Sequence, residues 1–142
     1  MAERYIGRPQ NRVDGRAKVT GAAKYAAEYN VPGLVHGWIV PGTIARGTIA
    51  HIDAAEALSL PGVIAVLTHE NRPHVPAYEE GDEAPSFVPL KDAEVRFSAQ
   101  PVALVVAETS ELARYAASLV RIDYTRAGHA TDLRVVRGEA YD

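Results

Sequence analysis

The segment from Gln100 to Tyr124 limits the fold more tightly than any other part of the chain, because its hydrophobic period changes twice in quick succession. Val102 to Ala107 is a continuous apolar run of strand length, the pattern of a strand shielded from water. Thr109 then offers a hydroxyl cap, and Glu111 places an anion in the first helical turn, where the dipole favours it. Leu112, Tyr115, Ala116, Leu119 and Val120 follow at helical spacing and predict an amphipathic helix. From Val120 the period falls to two: Val120, Ile122 and Tyr124 alternate with Arg121, Asp123 and Thr125. That is a strand returning along a sheet.

The segments before it supply that sheet. Lys24–Tyr29 reads as a first strand, stopped by the turn signal Pro32-Gly33. Leu34–Val40 reads as a second strand and Thr43–Ile52 as a third, with a bulge or bend expected at Gly47. Asp53-Ala-Ala-Glu56 has the form of a capping box, ahead of a short helix ended by Pro61-Gly62. Val63–Leu67 is again a continuous apolar run, expected to be covered on both faces. The order is roughly β-β-β-α-β-loop-β-α-β, an α+β domain built on a mixed sheet with two short helices.

The flanks differ in charge. Residues 1–24 hold six bases against two acids, and residues 69–94 hold seven acids against two bases. The boundaries follow: a basic arm over 1–24, the folded domain over 25–126 with an acidic, Pro-rich loop at 69–94, and a polar tail over 127–142. Both charged segments read as solvated surface, with docking to a partner as the sharper alternative. The net charge of −3 argues against a general nucleic-acid binder. With no cysteine in the chain, disulfides, thiolate nucleophiles and iron–sulfur ligation are excluded. No apolar run reaches the roughly 20 residues a bilayer span needs. The N-terminus lacks the apolar core of a signal peptide. A cytoplasmic chain is the expectation, or a periplasmic one if a signal-bearing partner exports it.

Reactive constellations are hard to find. His69 and His74 are five apart with Pro73 between them, which cannot form the helical histidine pair of zinc proteases. The glycines around Lys18 stand in the wrong order for a phosphate loop. Ser59, Ser86, Ser98, Ser110 and Ser118 read as loop or helix-surface residues. The pairs Glu79-Glu80 and Asp82-Glu83 read as solvated, and Trp38, Tyr25 and Tyr29 as core or strand-surface aromatics.

A resemblance adds what the residues alone do not. Tyr5-Ile-Gly-Arg-Pro9, Arg12-Val-Asp-Gly15 and Lys18-Val-Thr-Gly-Ala22 occur in that order. They are followed by Ala45-Arg46, Ile52-Asp53, Ala57, Leu60-Pro-Gly-Val63 to Thr68, and Gln100-Pro101 through Tyr124. Together they resemble the start of the molybdenum-binding subunits of the xanthine dehydrogenase and aldehyde oxidase family. They are most similar to bacterial aldehyde oxidoreductases with separate iron–sulfur, flavin and molybdenum subunits. The resemblance implies the α/β-hammerhead fold. It also implies a truncated structural or interaction domain of a molybdopterin-dependent oxidoreductase, without activity alone. No catalytic or metal residue carries over. No cofactor is expected on this chain itself, with molybdopterin on later domains and iron–sulfur clusters and FAD on other subunits or domains. The implied partners are the remaining molybdenum-subunit domains and those subunits, with self-association as a further expectation; neither nucleic acid nor membrane is among them. Phe87, in the acidic loop 75–90, is the one candidate substrate-binding contact, as part of a substrate funnel, with anchoring of the loop as the stronger alternative. Where the family has Gly-Gln-Pro, this chain has Ala99-Gln100-Pro101, which puts a left-handed turn in question. Two alternatives stand beside this: a free-standing module completing a separately encoded molybdenum subunit, and a small enzyme with a cryptic site.

Overall fold

The computed structural model describes residues 7, 9–29, 31–73 and 87–139. Tyr5, Ile6, Arg8, His74, Glu79, Glu80, Asp82, Glu83 and Ser86 lie outside the described residues. The chain divides into two compact units, residues 1–34 and residues 35–142.

The first unit holds a single-turn helix α1 (Gly15–Val19) and a 3-10 turn (Ala26–Glu28). Asp14 bonds Arg12 and Lys18, at 2.6 Å each. Both cations, Lys18 foremost, hold its carboxyl below the usual carboxylate range. The expected first strand, Lys24–Tyr29, does not form. The Glu28 carboxylate accepts the Tyr25 N–H at 2.7 Å, so a local side-chain contact takes a donor that a ladder would need. Val13, just before α1, and Val19, at its end, are exposed.

The second unit is built from β1 (His36–Pro41), β2 (Gly47–Asp53), α2 (Ala55–Leu58), β3 (Val63–Leu67), β4 (Glu94–Val95), β5 (Pro101–Ala107), α3 (Ser110–Leu119), β6 (Arg121–Arg126) and α4 (Leu133–Val136). Two three-stranded sheets form, in the orders β1-β5-β3 and β4-β2-β6. All pairings are antiparallel. The expected single mixed sheet is thus replaced by two. β5 already has β1 and β3 on its two edges, so the strand leaving α3 finds no parallel place beside it. β6 pairs with β2 instead.

β5 is the centre of the core. Val102, Ala103, Val105 and Ala107 are buried, as are Val40 on β1 and Val66 on β3. Over this sheet lies α3, capped as expected by Thr109, whose Oγ1 accepts the Leu112 N–H at 3.2 Å. Its buried face is Ala113, Ala116 and Ala117, whereas Tyr115 is 56% exposed. Of the expected stripe Leu112, Tyr115, Ala116, Leu119 and Val120, Ala116 is buried and Leu119 and Val120 pack against the core, while Tyr115 turns outward. Small side chains on the buried face let the helix approach the valine-rich sheet closely.

Three further expectations are corrected. β3 is an edge strand rather than a doubly covered one, with Ile64 54% exposed. The capping box at α2 is half formed: Asp53 accepts the Ala55 N–H at 3.0 Å, while Glu56 turns outward to Arg121 at 2.9 Å. The bulge in β2 falls between Ile49 and His51, not at Gly47. Gly47 answers a different need. A Cβ there would collide with the Thr125 carbonyl oxygen and lie 2.8 Å from Ile44 Cδ1, so only glycine lets β6 come this close.

Candidate functional site

The segment from Val88 to Gln100 ties the two sheets together and forms one wall of a surface cleft. It begins from local strain. Leu90 and Ala99 both have left-handed backbone, with φ of 56° and 63°. The turn questioned at Ala99 is thus kept, with alanine in a conformation that favours glycine.

Gln100 shows why the turn is worth keeping. It is buried, and its amide is satisfied at both ends. Nε2 donates to the Glu94 carbonyl at 2.6 Å, and Oε1 accepts the Arg96 N–H at 2.8 Å. Its own carbonyl accepts the Gly42 N–H at 2.7 Å, and the Ala99 N–H donates to the Gly42 carbonyl at 3.1 Å. One buried side chain therefore locks β4 of the small sheet to the start of β5 in the large one.

Arg96 emerges from this clamp toward solvent. It binds Asp92 at 2.7 Å and Glu94 at 2.8 Å. The hydrogen bonds from Arg96 hold the Asp92 carboxyl below the usual carboxylate range, with a smaller contribution from the Glu94 N–H. Two of the acids in the loop read as solvated are therefore committed to one guanidinium.

Beyond Arg96 lies a cleft of about 340 Å³, lined by Ala45, Arg46, Arg96, Phe97, Ser98, His129, Ala130 and Thr131. Arg46 comes from the bend before β2. Its carbonyl accepts the Ala127 N–H at 3.0 Å, which fixes the chain leaving β6 against this bend. Phe97 is braced from behind by Phe87, with ring centroids 5.1 Å apart in an edge-to-face arrangement of 67°. A second cleft of about 230 Å³ shares Arg46 and includes Thr48, Glu94, Thr125 and Arg126.

The structure places the sequence candidates as follows. Phe87 contacts Phe97 and lies outside the cleft lining. His69 is at the end of β3, its Nδ1 buried without a hydrogen-bond partner, and 4.0 Å from Glu70 at Nε2. Ser59 and Ser118 donate to helix carbonyls, and Ser110 to Glu111. Trp38 is a strand-surface residue with the Arg114 guanidinium 5.4 Å over its ring. Sequence reasoning missed Arg46, Phe97 and His129 as neighbours, since they come from three separate segments. Only Phe97 carried a signal, an aromatic beside the strained Ala99 turn.

A metal centre is a poor fit to the donor set: among the described residues no three His, Cys, Asp or Glu side chains come together in a group that would hold an ion.

The two antiparallel sheets with α3 laid across one of them define an α/β-hammerhead domain. The family model for the aldehyde oxidase and xanthine dehydrogenase a/b hammerhead domain matches residues 20–127. The chain belongs to the aldehyde oxidase and xanthine dehydrogenase family. It is 42% identical over 123 residues to the aldehyde oxidoreductase molybdenum-binding subunit PaoC of Escherichia coli (strain K12), covering 85% of this chain and 16% of that one. Among solved structures, CO dehydrogenase from Oligotropha carboxidovorans superposes with a TM-score of 0.69 at 32% identity, over 89% of this chain and 16% of that one. The aldehyde oxidoreductase from Desulfovibrio gigas superposes with a TM-score of 0.60 at 31% identity, over 82% of this chain and 14% of that one. The chain thus spans about a sixth of the length of these relatives.

Proposed function

We propose that the chain acts as the hammerhead module of a molybdopterin-dependent aldehyde- or xanthine-type oxidoreductase, framing the enzyme rather than performing its chemistry. One observation carries this reading: 85% of the chain matches a molybdenum-binding subunit while covering only 16% of it. The activity, the molybdopterin and any iron–sulfur and FAD groups belong to the other domains and subunits of such an assembly. No helix among the described residues is long and apolar enough to cross a membrane.

The division of labour follows the chain. The basic arm over 1–24 docks on neighbouring domains, residues 25–126 supply the hammerhead, and 127–142 lead toward the cofactor-bearing part. Phe87 contributes to an apolar wall through its contact with Phe97.

The experiment is complementation in trans. The E. coli relative, expressed without its matching segment, is combined with this chain. The expected result is a stable complex with restored aldehyde oxidation, weakened by deleting residues 1–24. The chain alone is expected to turn over no aldehyde or xanthine. Molybdopterin binding and aldehyde oxidation by the isolated chain would overturn the reading and favour the small-enzyme alternative.

A further inference from the structure

We propose that the cleft between the Arg46 bend, the Arg96–Ser98 turn and the His129–Thr131 segment binds a small aromatic carboxylate. Its volume of about 340 Å³ falls within the range of roughly 300–1,000 Å³ typical of small-molecule sites. No acid lines it. The polar residues that line it are Arg46, Arg96, Ser98, His129 and Thr131, a set rich in donors.

The two arginines are not equivalent. Arg96 is already neutralised by Asp92 and Glu94. Arg46 forms no ion pair among the described residues, and Glu94, which shares the adjoining cleft with it, is held by Arg96 at 2.8 Å, so its planar fork can take a bidentate carboxylate. Phe97, 45% exposed, provides a rigid aromatic wall because Phe87 braces it, and a ligand ring can stack or meet it edge-on. One unpaired cation beside one aromatic ring calls for a ligand with one negative charge and one ring. The carboxylates behind Arg96 oppose a doubly charged phosphate. Such a ligand has the chemistry of the product of aromatic aldehyde oxidation; that link, unlike the binding itself, rests on the proposed function.

The test uses the whole chain, isotopically labelled, with amide chemical shifts followed during titration. The probes are benzoate, acetate, benzamide and inorganic phosphate. Benzoate should shift the amides of Arg46, Arg96, Phe97, Ser98 and Ala130 saturably, and the other three should bind about tenfold more weakly or worse. Arg46→Gln and Phe97→Leu should each weaken benzoate binding by about tenfold. Both alter exposed side chains, so their melting temperatures should match the parent; if one melts early, the other and the ligand series decide. Absence of saturable benzoate shifts at these amides overturns the proposal. So does acetate, benzamide or phosphate binding as tightly as benzoate, or unchanged benzoate binding in a folded variant. None of these readouts needs cofactor or turnover, so they separate this inference from the family-level reading.

Discussion

The sheet β1-β5-β3 and the sheet β4-β2-β6 have the same strand count and the same antiparallel pairing, yet they are stabilised by different means. The first is covered by α3 and owes its order to many valine and alanine contacts around β5. Such burial is distributed, at roughly 0.8 kcal/mol per buried methylene. The second has mostly half-exposed or exposed strands. It depends on a few contacts that tolerate no alternative, chiefly the space at Gly47 and the amide of Gln100. Distributed burial degrades gradually under substitution. Position-specific contacts fail one at a time and completely.

The comparison is sharpest at Gly47. Gly47→Ala should destabilise by about 3 kcal/mol or more, because the added Cβ meets backbone rather than a movable side chain, and a positive φ disfavours it. Chemical denaturation would measure this, and a loss below that of the Val105 variant would break the comparison. Gln100→Met should cost about 2–3 kcal/mol by leaving the Arg96 N–H and the Glu94 carbonyl without partners. Its loss should appear as faster amide exchange in β4 before β5. In the large sheet, Val105→Ala removes two methyl groups from a fully buried site and should cost about 2 kcal/mol. Thr109→Ala should cost about 1 kcal/mol through loss of the α3 cap; an equal melting temperature would show the cap to be dispensable. The smallest change has the opposite sign. Ala99→Gly should stabilise by up to about 1 kcal/mol, since glycine adopts φ of 63° without the Cβ penalty. A loss of stability would mean that the turn owes more to the alanine methyl than to its backbone.

Much of the large sheet was legible in the sequence, because local pattern and burial agree there. The run Val102–Ala107 and the cap at Thr109 formed as read, and the alternation after Val120 gave a strand, though in the other sheet. The exceptions share a cause. Tyr115 fits a helical stripe but stays exposed, because α3 turns Ala113 and Ala117 inward beside Ala116 against a sheet already filled by valines. Lys24–Tyr29 looked like a strand by composition, and Glu28 redirected its backbone. β6 moved to another sheet because β5 had no free edge. Hydrophobic period reports what a segment can do alone, whereas pairing depends on which edges remain open.

The candidate cleft was far less legible. Arg46, Phe97 and His129 lie far apart in the chain, and no local rule joins residues across such separations. Phe87, the residue singled out from sequence, stands behind Phe97 rather than in the cleft, a distinction set by ring packing.

By itself, the sequence determined the strand–helix–strand segment, the family resemblance carried by its ordered motifs, and the absence of cysteine chemistry. These follow from local period, capping and composition, which act over a few residues. Tertiary structure alone decided the split into two sheets, the place of Gly47 against Thr125, the clamp at Gln100 and the meeting of Arg46 with Phe97. Each of these depends on the close approach of segments distant in sequence, where sterics and hydrogen-bond satisfaction, not propensity, select the outcome.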